Sequence, residues 1–400
     1  MSACCVRCGT RSMLTTVDDV IRPRRSISTM KAAVILACSL VTATANAQWQ
    51  ILDSHTTTDL QGIDAVTNSV AWASGANGVV LRTEDGRTWQ TCAVPPDAAN
   101  LDFTGIQGFD AKTAVVMSSG KGRLSRVYKT TDGCRTWKKV FDNPNGSGSF
   151  ESLHRATAVE MVLLGDPVDG KLSMYSSRDG GSTWSPFNEP GLDVSQTAGG
   201  IVAGTASVTN VDWLMTFGTA GKDAAVYTFT VLCKTSPCSF SWVGKPTPVG
   251  QRSPTAGVAS VAGRTYAGAP IPGVTGDVAT SLTTTLVAVG GDSRNPDANT
   301  AVAAMSTDSG NTWRLAGMQP GGYRCAVAFD PRRQRFIAVG PNGTDVSSDD
   351  GVAWLPLRPG PHDAGDADKH WTSLSLPYVV GTRGRIGVLD GVLSAQSAVR

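Results

Sequence analysis

The stretch Ser177-Arg178-Asp179-Gly180-Gly181-Ser182-Thr183-Trp184 decides the fold of this 400-residue chain, because it recurs. Residues 306–313 repeat its pattern of Ser/Thr-x-Asp-x-Gly-x-Thr-Trp, and residues 130–137 and 347–354 are looser copies. Residues 83–89 hold a copy that is one residue shorter. The Asp residues of successive copies are 47, 47, 129 and 41 residues apart, so the long interval equals three units of 43. A period of about 40–50 residues with four short strands per unit is typical of a β-propeller.

One repeat unit reads as four strands. The runs 104–109, 113–117, 125–130 and 136–141 are short and rich in β-branched and aromatic residues. Clusters of Gly, Asn, Asp and Pro separate them, as expected for strands joined by turns. The residues after the leader show no sustained helical periodicity with caps at both ends. The sequence therefore predicts an all-β fold.

The turn motif has a structural explanation that needs no catalysis. Its Asp carboxylate is expected to accept backbone N–H bonds in the hairpin between the third and fourth strands of a blade. Its Gly provides the positive φ of the turn, and its Trp buries a large apolar surface between neighbouring blades. The predicted structural residues are Asp85, Trp89, Asp132, Trp137, Asp179, Trp184, Asp308, Trp313, Asp349 and Trp354.

Counting fourth strands predicts a seven-bladed β-propeller. The segment 49–52 has no three strands before it, whereas the strands up to 385–389 have no fourth partner after them. Pairing these two ends closes the ring and removes both open edges. A six-bladed ring is the alternative if 198–315 holds one unit fewer. We expect the propeller to span 48–392, with a tail at 393–400, and its fourth strands to start near Trp49, Trp89, Trp137, Trp184, Trp242, Trp313 and Trp354.

The N-terminal residues resemble an export signal. Residues 30–47 combine a basic start, an apolar run and the cleavage site Ala45-Asn46-Ala47. Residues 1–29 do not fit such a signal, and we interpret them as a mis-annotated leader before a true start at Met30, or as an unusually long basic region. This pattern predicts export to the periplasm or the extracellular space, with no transmembrane segment after cleavage.

The charge balance argues against nucleic acid as a partner. The whole chain has 35 basic and 33 acidic residues, but residues 1–47 carry six of the bases and two of the acids. Residues 48–400 therefore carry a net charge of −2. Such a balance gives no bulk attraction to nucleic acid or to an anionic membrane.

The cysteines after the leader suggest disulfides. Cys233 and Cys238 are placed to staple the hairpin where one blade lacks the turn motif, as an oxidising compartment would allow. Cys92 and Cys134 are a second candidate pair, and Cys325 would then remain unpaired. None of these has the spacing of a zinc site.

The motif resembles the Asp box of sialidase-like (BNR-repeat) propellers. The unit formed by 60–63 and 70–89 is similar to the photosystem II stability/assembly factor-like repeat. This resemblance implies a binding protein for assembling membrane complexes. Further segments resemble the heterotrophic bacterial branch of that family, whose members are often labelled oxidoreductase. The chain has no dinucleotide-binding fingerprint, so we expect no cofactor. These segments are 289–297, 321–327, 339–345 and 380–386.

A glycoside hydrolase is the alternative function. Glycoside hydrolysis normally uses two carboxylates that flank the scissile bond, and sialidases use a Tyr nucleophile assisted by a Glu. Residues 48–400 contain only four Glu residues: Glu84, Glu151, Glu160 and Glu189. Glu84 lies inside a motif turn. A Tyr–Glu pair therefore requires Glu151 or Glu160 to point into the central channel.

The predicted binding surface is the face opposite the motif turns. Loops between second and third strands, and between blades, converge there and mix Arg with Asp, which suits a polar ligand or the loop of a partner. A solvated rim of ordinary turn residues explains the same composition. Glycan recognition would need exposed aromatics, for which Tyr323 is the candidate. The candidate binding residues are Arg123, Asp166, Asp169, Asp292, Arg294, Asp297, Tyr323, Arg324, Asn342 and Arg383.

The segment 362–370 has metal-ligand residue types at both ends, but its spacing matches neither an EF-hand loop nor a zinc pattern. We predict no metal site. The sequence as a whole predicts an exported, monomeric and non-catalytic propeller that binds a protein partner in the envelope or in a secreted complex.

Overall fold

The described residues form seven four-stranded antiparallel sheets, each a simple meander. The computed structural model describes residues 49–187, 208–211, 214–232, 239–270, 280–361 and 363–389. The predicted seven-bladed propeller is confirmed, and the six-bladed alternative is wrong. Among these residues no helix is long and apolar enough to cross a membrane.

Each blade runs from its innermost to its outermost strand in chain order, except the last blade. Blade 1 contains β2 (Leu60–Ala65), β3 (Ala71–Gly75), β4 (Val80–Thr83) and β5 (Gln90–Thr91), and blade 2 contains β6 (Asp102–Gly108), β7 (Ala114–Ser119), β8 (Arg126–Thr130) and β9 (Lys138–Asp142). Blade 3 contains β10 (Phe150–Arg155), β11 (Met161–Val168), β12 (Lys171–Ser177) and β13 (Ser185–Pro186). Blade 4 contains β14 (Val208–Val211), β15 (Leu214–Gly218), β16 (Ala225–Leu232) and β17 (Ser239–Pro246). Blade 5 contains β18 (Ala256–Pro270), β19 (Thr280–Asp292), β20 (Ala303–Ser306) and β21 (Arg314–Leu315). Blade 6 contains β22 (Ala326–Asp330), β23 (Arg335–Gly340), β24 (Gly343–Ser347) and β25 (Leu355–Pro356). Blade 7 contains β26 (Trp371–Ser375), β27 (Tyr378–Gly381), β28 (Ile386–Leu389) and β1 (Trp49–Leu52). Short 3-10 helices span Gly122–Leu124, Val249–Arg252 and Thr382–Gly384.

The N-terminal strand closes the ring, as the sequence predicts. β1 pairs antiparallel with β28, with Trp49 opposite Leu389 and Leu52 opposite Ile386. Blade 7 is thus built from both ends of the described chain. The closure gives β28 an outer hydrogen-bonding partner and leaves no gap between blades 7 and 1.

The long interval between motif copies covers two repeat units, from blade 3 to blade 5, and not the three that its length of 129 residues predicts. Two extended hairpins lengthen these units. In blade 4 the motif is replaced by a long hairpin, in which β16 and β17 pair up to Leu232 and Ser239. In blade 5 the motif is present, but the first hairpin is extended: β18 and β19 stay paired from Ala256 with Asp292 to Pro270 with Thr280. The predicted Cys233–Cys238 disulfide lies outside the described residues.

The core consists of side chains packed between neighbouring blades, with the motif Trp residues among them. Trp89 of blade 1 is fully buried and makes an edge-to-face contact with Tyr378 of blade 7, with ring centroids 5.8 Å apart. Trp137 of blade 2 packs in a cluster with Trp72 and Phe103. Truncating an aromatic side chain this deeply buried typically costs about 3–5 kcal/mol. Trp242 differs from our expectation, since it lies within β17 and not at its start.

A disulfide links blade 1 to blade 2. Cys92 follows β5 directly and bonds to Cys134 in the motif turn of blade 2, with Cα atoms 5.3 Å apart. Next to it, the Ala93 N–H donates to the Cys134 carbonyl at 3.2 Å. Cys325 is a free thiol, and burial raises its pKa to about 12. The cross-link thus joins the outer edge of one blade to the turn of the next.

Candidate functional site

The meander gives the propeller two distinct faces. In an antiparallel sheet the first and third strands of a blade end on the same side. The hairpins after the first strands therefore share a side with the motif turns, and hydrogen bonds between the two confirm it. Gly133 N–H donates to the Lys112 carbonyl at 2.9 Å, and Gly180 N–H donates to the Val159 carbonyl at 2.7 Å. We call this side the motif face and the other side the opposite face.

The hydrogen-bonding capacity of the motif carboxylates is taken by groups in their own turns. Asp179 Oδ1 accepts the N–H groups of Ser182 and Thr183, both at 2.9 Å, and its Oδ2 accepts the Thr183 hydroxyl at 2.6 Å. Burial acts to raise the pKa of Asp179, but the hydrogen bonds from Thr183 and Ser177 outweigh it and lower this pKa to about 2. The indole N–H of Trp184 donates to the Gly181 carbonyl at 3.2 Å, which fixes the ring against the turn.

The other copies of the motif share this geometry with small variations. Asp308 accepts the Thr312 N–H at 2.9 Å and the Thr312 hydroxyl at 2.6 Å. The shorter copy forms the same kind of hydrogen bond, since Asp85 accepts the Thr88 N–H at 2.7 Å. Asp349 accepts the Ala353 N–H at 2.9 Å and the Ser347 hydroxyl at 2.7 Å, and it lacks the second hydroxyl bond because alanine replaces threonine at position 353. These Asp residues hold turns together and leave little acceptor capacity for a ligand.

Eight of the ten candidate binding residues lie in connections of the opposite face, whereas Asp166 lies within β11 and Asp292 is the last residue of β19. Tyr323, Arg324, Asn342 and Asp297 form one hydrogen-bonded group, but the structure does not bring all ten together. Arg123, Asp169, Arg294 and Arg383 are exposed and lie on four different blades or blade junctions. Asp169 has a positive φ of 52° and forms, with Gly170, the two-residue turn between β11 and β12. This geometry is typical of a type I′ hairpin and explains the residue type.

Arg324 and Tyr323 correct our expectation of an accessible rim. The Arg324 side chain is 2% exposed, and its guanidinium forms a buried ion pair with Asp345, with Nε to Oδ2 at 2.7 Å. Its Nη1 also donates to the Tyr323 carbonyl at 2.9 Å and to Asn342 Oδ1 at 2.6 Å. Tyr323 is itself 9% exposed. Both residues are occupied in packing the connection between blades 5 and 6.

Asn342, Asp292 and Asp297 fasten neighbouring loops. Asn342 Nδ2 donates to the Pro296 carbonyl at 2.8 Å and to Asp297 Oδ1 at 3.1 Å, which ties blade 6 to a loop of blade 5. Asp292 Oδ2 accepts the Thr255 hydroxyl at 2.9 Å. Much of the polar chemistry at this face therefore serves the loops themselves.

Arg383 lies at the edge of a shallow groove between blades 7 and 1. The groove has a volume of about 290 Å³ and also includes Asp53 and His370. Nearby, the carboxylate of Asp366 pairs with Arg385 at 3.0 Å. The described part of 362–370 and the other described residues contain no cluster of three potential metal ligands, and His362 lies outside them.

Glu151 is a buried carboxyl on the innermost strand of blade 3, near the opposite face. It is 8% exposed and accepts a hydrogen bond from the Ser119 hydroxyl at 3.3 Å. Burial and the negative charge of Asp166 raise the pKa of Glu151 to about 7, although hydrogen bonds from Ser149 and Ser119 oppose the shift. It is therefore a proton-binding group near neutral pH.

The central channel opens at the motif face into a pocket that sequence reasoning missed. The pocket has a volume of about 420 Å³, within the range of natural ligand sites. The innermost strands and first hairpins of blades 1, 2, 3, 5, 6 and 7 line it. Its lining residues are Ile63, Asp64, Gln107, His154, Val261, Ala262, Gly263, Val327, Ala328, Phe329, Pro331, Leu374, Ser375 and Leu376.

Asp64 is the carboxylate of this pocket. Its Oδ2 accepts the Gly108 N–H at 2.7 Å, across the junction of blades 1 and 2. Burial raises the pKa of Asp64 to about 6, against the lowering effects of that hydrogen bond and of the Arg155 charge. A strand position that reads Asp in one repeat, Gln in the next and His in a third was the available sequence signal, but it emerges only when the innermost strands are aligned.

The chain is similar in fold to several solved propellers. It superposes on YCF48 bound to a D1 peptide with a TM-score of 0.53 at 13% identity, covering 86% of this chain and 96% of that one. The WD40 propeller domain of Doa1 gives a TM-score of 0.52 at 10% identity, covering 87% and 98%. An ancestral GH74 enzyme gives 0.51 at 14% identity, covering 84% and 45%. Neither a protein-family model nor a curated protein matches the chain. At these identities the likenesses show the fold alone.

Proposed function

We propose that this protein is an exported, non-catalytic propeller that binds a protein partner in the cell envelope or in a secreted complex. The observation that carries the proposal is the pocket at the channel mouth, which combines apolar walls with a few convergent polar groups. YCF48, a propeller of the same fold, has been solved with a D1 peptide bound. We extend peptide or protein binding to this chain on those two grounds.

Two features support export. Residues 45–47 supply the small-residue cleavage site of a signal peptide. Cys92 and Cys134 form a disulfide, and such bonds persist in oxidising compartments such as the periplasm. Both features fit a protein that works outside the cytosol.

The positions of the perturbed carboxyls favour binding over hydrolysis. Asp64 is the fifth residue of β2, near the motif face, whereas Glu151 is the second residue of β10, near the opposite face. The two carboxyls therefore lie at opposite ends of the channel. Glycosidases need their two carboxyls within about 5–10 Å of each other, flanking one bond.

In vivo photo-crosslinking tests the proposal. A photo-reactive amino acid is placed at Val159 on the motif face or at Leu124 on the opposite face, two apolar side chains that are both 53% exposed. We expect the mature chain, residues 48–400, to crosslink one dominant protein in its own cell envelope, read by mass spectrometry. Absence of a protein adduct from both positions contradicts the proposal.

Glycoside hydrolysis remains the second candidate because of Glu151 and Asp166. These two carboxyls influence each other, and a Glu with a pKa near 7 suits a general acid. A panel of fluorogenic glycosides and polysaccharides tests this activity, with Glu151→Gln as the matched variant. Turnover that the variant loses would establish the enzyme and displace the binding proposal.

A further inference from the structure

The innermost strands share a bulge that aligns the blades. The pairing register shifts between Leu60 and Gly62 in blade 1, and the same shift recurs in blades 2, 3, 5 and 7. The residue that ends each shift is small: Gly62, Gly105, Ser152, Ser260 and Ser373. Counting from it gives equivalent positions around the channel.

The first position after the bulge is uniform, as packing demands. It holds Ile63, Ile106, Leu153, Val261 and Leu374, which are all buried. A position that packs between blades needs the same kind of side chain in every repeat, and here it also gives the pocket part of its apolar wall through Ile63, Val261 and Leu374.

The second position after the bulge is not uniform. It holds Asp64, Gln107, His154, Ala262 and Ser375, and every one of them lines the pocket. Since the backbone setting is the same in each blade, the backbone does not dictate these differences. The channel mouth is thus ringed by equivalent positions whose side-chain type differs from blade to blade without any difference in backbone structure.

This ring divides the pocket into two halves. Blades 1 to 3 contribute the carboxylate, the amide and the imidazole. Blades 5 to 7 contribute mainly apolar surface, with Phe329 as its largest side chain and Leu374 and Leu376 beside it. A ligand that fits must present a polar group on one side and apolar groups on the other.

The only formal charge on the described lining, with His neutral, is negative. Asp64 accepts one hydrogen bond, from Gly108, and forms no ion pair among the described residues. Arg155, whose charge acts on Asp64, lies with its guanidinium carbon 5.2 Å from the ring centre of Phe109 and is not part of the pocket lining. The cation at the apolar side, Arg264, is paired with Asp350 at 2.7 Å. Asp64 therefore retains acceptor capacity for an incoming donor.

We propose that the channel mouth on the motif face binds a basic side chain, lysine or arginine, of a partner polypeptide whose flanking residues are apolar. The ammonium or guanidinium group meets Asp64, with Gln107 and His154 as further hydrogen-bonding groups. The flanking apolar residues cover Phe329 and its neighbours. The inference rests on the proposed protein-binding function and adds its site and the chemistry that the site recognises.

A peptide library provides the direct test. Its members carry lysine, arginine, norleucine or glutamate at a central position, with randomised apolar flanks, and binding to residues 48–400 is measured by fluorescence anisotropy. We expect the best lysine or arginine peptides to bind at least tenfold more tightly than their norleucine counterparts, with glutamate weakest. Equal affinity for norleucine, or no saturable binding of any basic peptide, overturns the proposal.

Asp64→Asn is the decisive variant. An asparagine keeps an acceptor for the Gly108 N–H, so the fold is expected to stay intact, which the melting temperature checks. We expect at least a tenfold loss of affinity for the basic peptides and little change for the norleucine peptides. The matched control is Asp169→Asn, which removes an exposed carboxylate from the opposite face and should change affinity less than twofold.

Photo-crosslinking from Val159 separates this inference from the function on which it rests. Capture of one partner by the wild-type chain and strongly reduced capture by Asp64→Asn supports both. Equal capture by the two chains overturns the site but leaves the protein-binding function standing. Absence of capture by the wild-type chain from both faces overturns the function and the site together.

Discussion

Arg324, in the connection between blades 5 and 6, and Asp64, at the channel mouth, use their charges in opposite ways. On the opposite face Arg324 is buried against Asp345 and Asn342, and these groups bind one another. On the motif face Asp64 accepts one backbone hydrogen bond and otherwise faces a pocket. The motif Asp residues are likewise committed to their own turns, so Asp64 differs from them as well as from Arg324. A rich composition of Arg and Asp is a weaker sign of function than a single polar group with spare hydrogen-bonding capacity.

A physical reason underlies this difference. Arg324 lies in a connection that crosses between blades, where backbone polar groups outside the sheets need side-chain partners. Innermost strands already satisfy most of their backbone groups through sheet pairing. Side chains at the ends of these strands are therefore not needed to satisfy the backbone, and the residue type there can be determined by ligand binding.

Removing Arg324 is the strongest test of the structural role of the opposite face. We expect Arg324→Leu to lower the free energy of unfolding by about 3–5 kcal/mol, because it leaves the Asp345 carboxylate buried without its partner. Urea denaturation of the variant against wild type gives the value. Arg294→Ala, an exposed control on the same face, should change stability by less than about 0.5 kcal/mol. A loss below about 1 kcal/mol for Arg324→Leu would show that the pair is dispensable.

Opening the Cys92–Cys134 disulfide tests how the motif face is held. The bond joins residues that are 42 positions apart in sequence. For a loop of that length the chain-entropy model gives about 3–4 kcal/mol of stabilisation. We expect Cys92→Ser combined with Cys134→Ser to lose that amount in denaturant unfolding. Reductant should weaken the wild type by a similar amount and leave the double variant unchanged, whereas an equal effect on both would assign the loss to something other than this bond.

Asp179→Ala measures one motif turn. The variant loses two N–H bonds and two hydroxyl bonds in an exposed hairpin, so we expect a loss of roughly 1–2 kcal/mol in the free energy of unfolding. Arg178→Ala, an exposed neighbour in the same turn, is the control and should be close to neutral. Binding of basic peptides should survive Asp179→Ala, since its carboxylate belongs to the turn. Lost peptide binding with intact stability would place the motif itself in the site.

Asp64→Asn should stabilise the protein in a pH-dependent way. The folded-state pKa of Asp64 is raised to about 6 from 3.8, so folding favours its protonated form. Its contribution to stability is therefore full below about pH 4 and is lost as pH rises through about 6. We expect Asp64→Asn to gain roughly 1–2 kcal/mol over wild type at pH 7.5 and little at pH 4. Equal differences at both pH values would show that the carboxyl is not held in an unfavourable setting.

The repeat made the architecture accessible from sequence, whereas the site required three dimensions. The spacing of Asp85, Asp132 and Asp179 fixed the blade size, and the unpaired segment at Trp49 indicated how the ring closes. Arg324 looked like a rim residue because its partner, Asp345, is 21 positions away and on another strand. The sequence did not single out Asp64, because alternation along one strand does not say which side borders the channel. Asp64 and His154 are seen to occupy equivalent positions only when the innermost strands are aligned on their bulge, and no local sequence pattern reveals that bulge.

Closure of the ring by β1 and β28 also sets the order of folding. The first strand of the described chain finds its hydrogen-bonding partner only when the last strand has been made, so this contact is among the longest-range in the molecule. Formation of such contacts is slow, because the whole intervening chain must be ordered first. Until then β28 presents an unpaired edge that another chain can occupy. The same strand pair that finishes the native ring therefore defines the interval in which a newly made chain most needs protection from aggregation.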